Sequence, residues 1–151
     1  MEAGVECILT ENGERFVTAL TLQTLSENRV YSDMFDQSVW DIEHISLAKK
    51  ADIIVVVPAT ADAIARFACG RAEDLLSSDI LAARCPVLIC PAMNDKMWLH
   101  PATRENVERL KRFGYYFAGP AEGLLACGDT GIGKLADLGV IADKIRSVLA
   151  E

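Results

Sequence analysis

The stretch Ile53-Ile54-Val55-Val56-Val57 is an uninterrupted run of β-branched residues between Asp52 and Pro58. Such a run predicts a strand buried on both faces, which is typical of a parallel sheet. A second apolar run, Pro86-Val87-Leu88-Ile89-Cys90, ends at Pro91. Because segments of helical character separate the two runs, the sequence predicts an α/β domain with a mainly parallel sheet.

Further elements are predicted on both sides of these strands. Strands are expected at residues 5–9 and 115–118, and helices at residues 14–26, 61–68, 74–83, 101–113 and 140–150. Residues 28–42 have no clear period and predict an irregular connection with a short strand. The glycines and proline between Gly119 and Gly133 are too many for a regular element and predict a loop. A long loop inside a compact domain is often functional.

Composition narrows the class of protein. The 151 residues, 51% of them hydrophobic, are expected to form one domain over residues 1–151. A net charge of −7 argues against a nucleic-acid partner, and no apolar stretch approaches the roughly 18 residues that span a membrane. The five cysteines have no metal-ligand spacing, so no metal is expected, and they are interpreted as reduced thiols of a cytoplasmic protein. Cys7 and Cys90 lie in apolar runs and are expected to be buried.

Four segments are expected to meet at the carboxyl edge of the sheet, where ligands of such sheets bind. They are residues 10–12, 58–62, 91–94 and the glycine-rich loop. Helix N-termini at this edge favour an anionic ligand. The polar residues are equally typical of helix caps, so their positions alone leave binding and capping both open.

One of these segments carries a distinctive motif, Pro91-Ala92-Met93-Asn94-Asp95-Lys96-Met97-Trp98. It resembles the Pro-x-Met-Asn-x-x-Met-Trp motif of the flavin-containing cysteine decarboxylases, which act on phosphopantothenoylcysteine or on C-terminal peptide cysteines. Three further blocks resemble family blocks in the same order: residues 42–47, residues 58–63 and residues 125–129. The resemblance covers essentially the whole chain and implies a flavodoxin-like, Rossmann-like three-layer sandwich.

The resemblance also implies a cofactor and a reaction. The cofactor is FMN, and the branch that makes coenzyme A is favoured by the Ala-Cys-Gly-Asp block together with the histidine block. Oxidation of the substrate thiol gives a thioaldehyde, carbon dioxide leaves, and the enethiol is then reduced and protonated. A homotrimer, or a multiple of trimers, is implied as well. We expect Trp98, Trp40 and Phe35 to supply apolar surface for the subunit interface, although a large aromatic such as Trp98 is equally typical of a packing residue.

Individual roles follow from the matching motifs. His44 and Cys127 are the expected catalytic residues, as a base or orienting group and as a proton donor. The expected substrate-binding residues are Asn94, Met97, Lys49, Leu125, Ala126 and Lys134. The expected cofactor-binding residues are Thr10, Thr60, Ala61, Asp62, Ala63, Ser78 and Ala92.

The chain also departs from the family pattern. The family's first strand, glycine-containing turn and first helix precede the segment that aligns with Ala3, so an N-terminally truncated domain is expected. Asp62 stands where the family usually has Asn, and Lys134 where many members have Arg. Two alternatives to the coenzyme A enzyme are a non-catalytic flavodoxin-like subunit and a peptidyl-cysteine decarboxylase.

Overall fold

A computed structural model describes residues 3–34, 43–126 and 128–151, giving only the backbone of residues 43–46. The strands are β1 (Cys7–Ile8), β2 (Val30–Tyr31), β3 (Ile54–Ala59), β4 (Val87–Pro91), β5 (Tyr116–Phe117), β6 (Ala121–Leu124) and β7 (Thr130–Lys134). The helices are α1 (Ala19–Ser26), α2 (Glu43–Lys50), α3 (Ala61–Cys69), α4 (Leu75–Ala82), α5 (Asp95–Leu99), α6 (Pro101–Arg112) and α7 (Leu138–Leu149). A 3₁₀ helix, Gly13–Arg15, precedes α1.

The strands form one central parallel sheet and two smaller pairs. In the central sheet β4 lies between β3 and β5, with Ile54 opposite Val87 and Leu88 opposite Tyr116. Strands β1 and β2 also pair in parallel, whereas β6 and β7 form an antiparallel pair. The prediction of an α/β domain with a mainly parallel sheet is confirmed.

Strand β4 is the centre of the core, and all five of its residues are buried. Because successive side chains of a strand point to opposite faces, Ile89 packs with Ile64 of α3 and Leu110 of α6. On the other face, Leu88 and Cys90 pack with residues that include Ile141 of α7. Helices therefore cover both faces of the sheet, as the predicted three-layer sandwich requires.

The largest error of the sequence prediction concerns residues 119–133. They were predicted to be a loop, but they contain β6 and β7. Glycine is unusual inside a strand because it has no side chain to pack, and its count argued against regular structure. In this protein the glycines of β7 allow the hairpin formed by β6 and β7 to lie directly on the segment that contains Met93 and Asp95.

Smaller differences concern the helices. The helix predicted over residues 14–26 begins only at Ala19, after Thr18, whose hydroxyl oxygen caps it by accepting a hydrogen bond from the amide of Thr21 at 3.2 Å. Helices α2 and α5 were not predicted, since both are short and have few apolar residues to define a period. Cys90 is fully buried as expected, whereas Cys7 is only half-buried.

Trp98 does not provide the exposed surface expected of it. It is 5% exposed, because α5 turns its ring into the core formed with α3 and α6. The guanidinium of Arg104 covers the ring, 5.0 Å from its centroid. Trp98 is therefore a packing residue of the single chain, while Trp40 and Phe35 lie outside the described residues. No helix in the described ranges is long and apolar enough to span a membrane.

Candidate active site

The ends of β3 and β4 are joined at the carboxyl edge of the central sheet. The amide of Ala92 donates to the carbonyl oxygen of Ala59 at 3.0 Å. Thr60 follows directly as the N-cap of α3, and its hydroxyl oxygen accepts from the amide of Ala63 at 3.2 Å. This hydrogen bond occupies the amide of Ala63, whose side chain is buried in the core. Ala61, the first residue of α3, lines an open cleft beside this edge.

An open cleft of about 340 Å³ lies beside this edge. It is lined by Ala61, Lys96, Met97, His100 and Thr103. The cleft brings together Ala61 and Met97, which the sequence assigned to cofactor and substrate respectively. Met97 is 49% exposed and offers a flexible apolar surface to a ligand.

Asn94 follows β4 and begins α5. Its side-chain oxygen Oδ1 accepts a hydrogen bond from the amide of Lys96 at 3.0 Å, which makes Asn94 the N-cap of that helix. Asp95 Oδ1 accepts from the same amide at 2.8 Å. Capping fixes the direction of the Asn94 side chain, so the capping and binding roles left open by the sequence are compatible.

The hairpin of β6 and β7 lies directly on the Asn94 segment. The amide of Met93 donates to the carbonyl oxygen of Gly133 at 2.9 Å. A Cβ atom on Gly133 would lie 2.1 Å from the carbonyl oxygen of Met93, and one on Gly131 would lie 3.0 Å from Cβ of Asp95. The approach is therefore possible only because these two positions of β7 carry no side chain.

The tip of this hairpin carries the block that includes Cys127. The amide of Leu125 donates to the carbonyl oxygen of Asp129 at 2.8 Å, and the amide of Gly128 donates to that of Leu125 at 2.9 Å. Leu125 is buried and Ala126 is exposed, while Cys127 lies outside the described residues.

The two candidate lysines are not brought together. Lys134 ends β7, with Nζ exposed and 3.8 Å from Oδ1 of Asp137. Lys49 is exposed in the last turn of α2, and residues 51–53 lead from there to the start of β3. Lys49 thus lies toward the amino end of β3, away from the edge where Asn94 lies. The backbone of His44 belongs to α2, but its side chain is outside the described residues.

Two further cofactor candidates, Thr10 and Ser78, are not among the residues that line the cleft. The Thr10 hydroxyl oxygen accepts from the amide of Gly13 at 3.2 Å, in the turn that follows β1. Ser78 is buried on α4, and its hydroxyl donates to the sulfur of Met34 at 3.4 Å. Among the described residues no group of three or more His, Cys, Asp or Glu is placed to hold a metal ion.

Sequence reasoning missed Arg66, which lies in the last turn of α3 and pairs with the residue that begins α4. Its Nε lies 3.1 Å from Oδ2 of Asp62, and its Nη1 pairs with Oδ2 of Asp74. Asp74 is the N-cap of α4 and forms a capping box with Ser77. The Asp62 and Arg66 spacing of four residues on a helix was the signal available in the sequence.

Comparison with known proteins gives consistent matches. The model of the family described as Flavoprotein matches residues 1–150. The chain is 46% identical over 138 residues to the coenzyme A biosynthesis bifunctional protein CoaBC of Mycolicibacterium smegmatis, covering 90% of this chain and 33% of that protein. It is 43% identical over 148 residues to the probable phosphopantothenoylcysteine decarboxylase of Streptococcus mutans, covering 96% of this chain and 83% of that protein. The chain thus spans about a third of the bifunctional relatives and most of the smaller one.

Solved structures agree. One is a PPC decarboxylase mutant, with serine in place of a cysteine, complexed with pantothenoylaminoethenethiol; its TM-score is 0.88 at 29% identity, covering 99% of this chain and 85% of that one. The FMN binding protein AtHal3 has a TM-score of 0.83 at 31% identity, covering 95% of this chain and 80% of that one.

Proposed function

The chain belongs to the flavoprotein family, and we propose that it is an FMN-dependent decarboxylase that converts 4′-phosphopantothenoylcysteine to 4′-phosphopantetheine in coenzyme A biosynthesis. The similar proteins from Streptococcus mutans and Mycolicibacterium smegmatis carry names of this activity and pathway. The match to the Streptococcus mutans protein supports the decarboxylase reaction in particular, since the chain covers most of that protein.

One observation carries the proposal: the Cys127 hairpin is held on the Asn94 segment by the bond between Met93 and Gly133. Asn94 and Cys127 are 33 residues apart in sequence, and the glycines of β7 let the hairpin lie on the segment that carries Asn94. A substrate carboxylate at Asn94 would therefore lie beside the segment that supplies the proposed proton donor.

The residues at this edge fit FMN. Ala61 and Met97 give the cleft apolar walls suited to a flat aromatic ring, and Lys96 adds a positive charge. The amino end of α3, which begins at Ala61, favours negative charge as in other nucleotide sites.

The chain's own residues would then act on the substrate. When bound, FMN supplies the oxidation of the substrate thiol and returns the electrons after carbon dioxide has left. Asn94 holds the carboxylate through a neutral amide, so that no added charge opposes its loss. His44 receives or orients a proton at neutral pH, and Cys127 donates one to the enethiol. The pantothenoylaminoethenethiol complex of the similar PPC decarboxylase supports a path through an enethiol.

The proposal includes a homotrimer, or a multiple of trimers, that works in the cytoplasm on a small molecule, without a nucleic-acid or membrane partner. Helix α1 has no buried residue, and the nearby Phe16, Leu20 and Leu25 are 91%, 72% and 78% exposed, which supports a covering subunit. Light scattering at micromolar concentration tests the assembly, and a monomer mass would contradict it.

The function is tested by purifying the protein and recording its visible absorption spectrum, because bound oxidised flavin is yellow. The FMN-loaded protein is then incubated with phosphopantothenoylcysteine or with a peptide that ends in cysteine. Release of carbon dioxide from the first substrate alone supports the proposal. Turnover of the peptide alone would indicate a peptidyl-cysteine decarboxylase, and a colourless protein without turnover would indicate a non-catalytic subunit.

A further inference from the structure

Arg66 lies between two carboxylates that come from different helices. Its Nε is 3.1 Å from Oδ2 of Asp62, one turn earlier on α3, and its Nη1 pairs with Oδ2 of Asp74 on α4. The Arg66 side chain is only 20% exposed, whereas that of Asp62 is 76% exposed. Because the guanidinium is largely shielded from water, salt screens its pairs less than those of surface residues.

Asp74 uses its two carboxylate oxygens for two different purposes. Oδ1 accepts from the amide of Ser77 at 2.7 Å and so caps α4, while Oδ2 faces Arg66. Burial favours the protonated form of Asp74, but the hydrogen bonds from Ser77 and Arg66 outweigh it and hold the pKa below its ordinary value. The carboxylate is therefore ionised at neutral pH and available to the guanidinium.

The two carboxylates belong to helix ends that carry different parts of the proposed FMN site. Asp62 lies in the first turn of α3 next to Ala61, and Asp74 begins the turn of α4 that leads to Ser78. Residues 70–73 connect the helices and are exposed, so the connection itself packs little against the core. The pair between Nη1 of Arg66, in the last turn of α3, and Oδ2 of Asp74 ties α3 to the start of α4, where the connecting chain packs little.

Asp62 adds an electrostatic reason for this pairing. A carboxylate beside an electron-rich ligand repels it, whereas an amide at the same position would not. The guanidinium of Arg66 offsets that negative charge one residue away from Ala61, which lines the cleft. We propose that Arg66 is a positioning residue of the FMN site, which holds the last turn of α3 to the amino end of α4 and offsets the charge of Asp62; this inference rests on the proposed function.

The test compares FMN affinity with stability. The dissociation constant for FMN is measured by quenching of flavin fluorescence, and the unfolding free energy of the same flavin-free protein is measured in urea. Arg66→Gln, which keeps polarity but removes the charge, is expected to raise the dissociation constant at least tenfold. The dissociation constant of Arg66→Lys for FMN is expected to stay within about fivefold of the parent's, because an ammonium keeps the positive charge. The remaining loss reflects the missing two-pronged geometry of the guanidinium.

Two variants complete the design. Asp74→Asn keeps the cap of α4, since Asn caps as well as Asp, but weakens the pair with Arg66, and is expected to raise the dissociation constant at least threefold. The matched control is Arg146→Gln, which breaks the exposed pair of Arg146 with Asp143 on α7 and is expected to leave FMN affinity unchanged.

The outcomes separate the inference from the proposed function. If Arg66→Gln is less stable but binds FMN as the parent does, Arg66 is only a structural residue and the inference is overturned. Should Arg66→Gln fail to fold, parent-like affinity of Asp74→Asn overturns it instead. A parent protein that binds no FMN would overturn the proposed function and the inference together.

Discussion

Gly133 and Met93 are in direct backbone contact, with the amide of Met93 donating to the carbonyl oxygen of Gly133 at 2.9 Å. The contact leaves no space for a side chain, because a Cβ atom on Gly133 would lie 2.1 Å from the carbonyl oxygen of Met93. It holds the hairpin of β6 and β7 on the segment that carries Asn94. The position of the hairpin relative to the Asn94 segment therefore depends on Gly133, a residue that has no catalytic group.

Gly133→Ala is expected to move the hairpin away from Asn94. Because backbone atoms would have to shift to admit the methyl group, we expect a loss of about 1–3 kcal/mol in the free energy of unfolding and at least a tenfold loss in kcat/KM. Urea unfolding and decarboxylation assays measure the two effects.

Gly139→Ala is the matched control for this variant. Gly139 lies in α7, and a Cβ atom there would meet nothing within 4 Å. Alanine favours a helix over glycine by up to about 1 kcal/mol, so this variant is expected to be at least as stable as the parent and equally active. If both glycine variants behaved alike, the close contact with Met93 would not matter for the site.

Asn94→Asp is expected to depress decarboxylation while sparing the fold. Aspartate keeps an oxygen that caps α5, so the melting temperature should change little. A second carboxylate at this position repels the substrate carboxylate and pushes one of the two groups toward protonation. We expect kcat/KM to fall at least tenfold, which is about 1.4 kcal/mol of transition-state stabilisation. Turnover within about threefold of the parent would show that Asn94 serves only as a cap.

The buried carboxyl group of Asp79 is expected to make the free energy of unfolding depend on pH. It is 2% exposed, its Oδ1 makes no hydrogen bond with any described residue, and burial raises its pKa to about 6. Since the folded state holds this proton more tightly than the unfolded state, the contribution of Asp79 to stability is fully present below pH 3.8 and is lost as pH rises through about 6.

Asp79→Asn should remove this dependence. The difference in unfolding free energy between variant and parent is expected to be near zero at pH 4 and to reach about 2–3 kcal/mol in favour of the variant at pH 7.5. Urea unfolding across this pH range provides the measurement. Asp143→Asn, at an exposed carboxylate, is the control and should show no such trend. A variant that is no more stable than the parent at pH 7.5 would mean that the buried carboxylate is not costly.

Cys127→Ser is expected to stall the reaction after carbon dioxide has left. A serine hydroxyl is close in shape to a thiol but is a far weaker acid, so protonation of the enethiol should slow sharply. The step that oxidises the substrate does not need this proton and should survive. Mass spectrometry should detect a decarboxylated product that lacks two hydrogens relative to phosphopantetheine. Formation of phosphopantetheine at the parent's rate would assign the proton to another group.

The sequence predicted the parts of this fold whose residues carry a strong local pattern. The β-branched run before Pro58 and the apolar run before Pro91 both became buried parallel strands, β3 and β4. The hairpin over residues 121–134 could not be predicted in this way, because its glycines serve a contact with Met93 that is distant in sequence. The sequence shows that these positions are glycines, but it does not show that the backbone of Met93 packs against them.

The sequence likewise predicted some features of the site and missed others. Motif similarity identified Asn94, and its position next to the hairpin was found only in the structure. The charge link from Arg66 to Asp74 was missed because it crosses from one helix to another. Lys49 was assigned to the substrate, yet α2 places it toward the opposite edge of the sheet. The sequence predicts that Trp98 is either a packing or a subunit-contact residue, and the short helix α5 directs it into the core. In each case orientation, rather than residue type, decided the outcome.

The central claim, decarboxylation that is redox-neutral overall, is tested most directly by turnover under anaerobic conditions. The FMN-loaded protein is mixed with an excess of phosphopantothenoylcysteine without any added electron acceptor or donor, and carbon dioxide and phosphopantetheine are quantified. Because the electrons taken from the substrate thiol are returned to the same molecule, we predict many turnovers per flavin, with equal amounts of the two products. A reaction that stops after one equivalent, or that requires dioxygen to continue, would contradict the account.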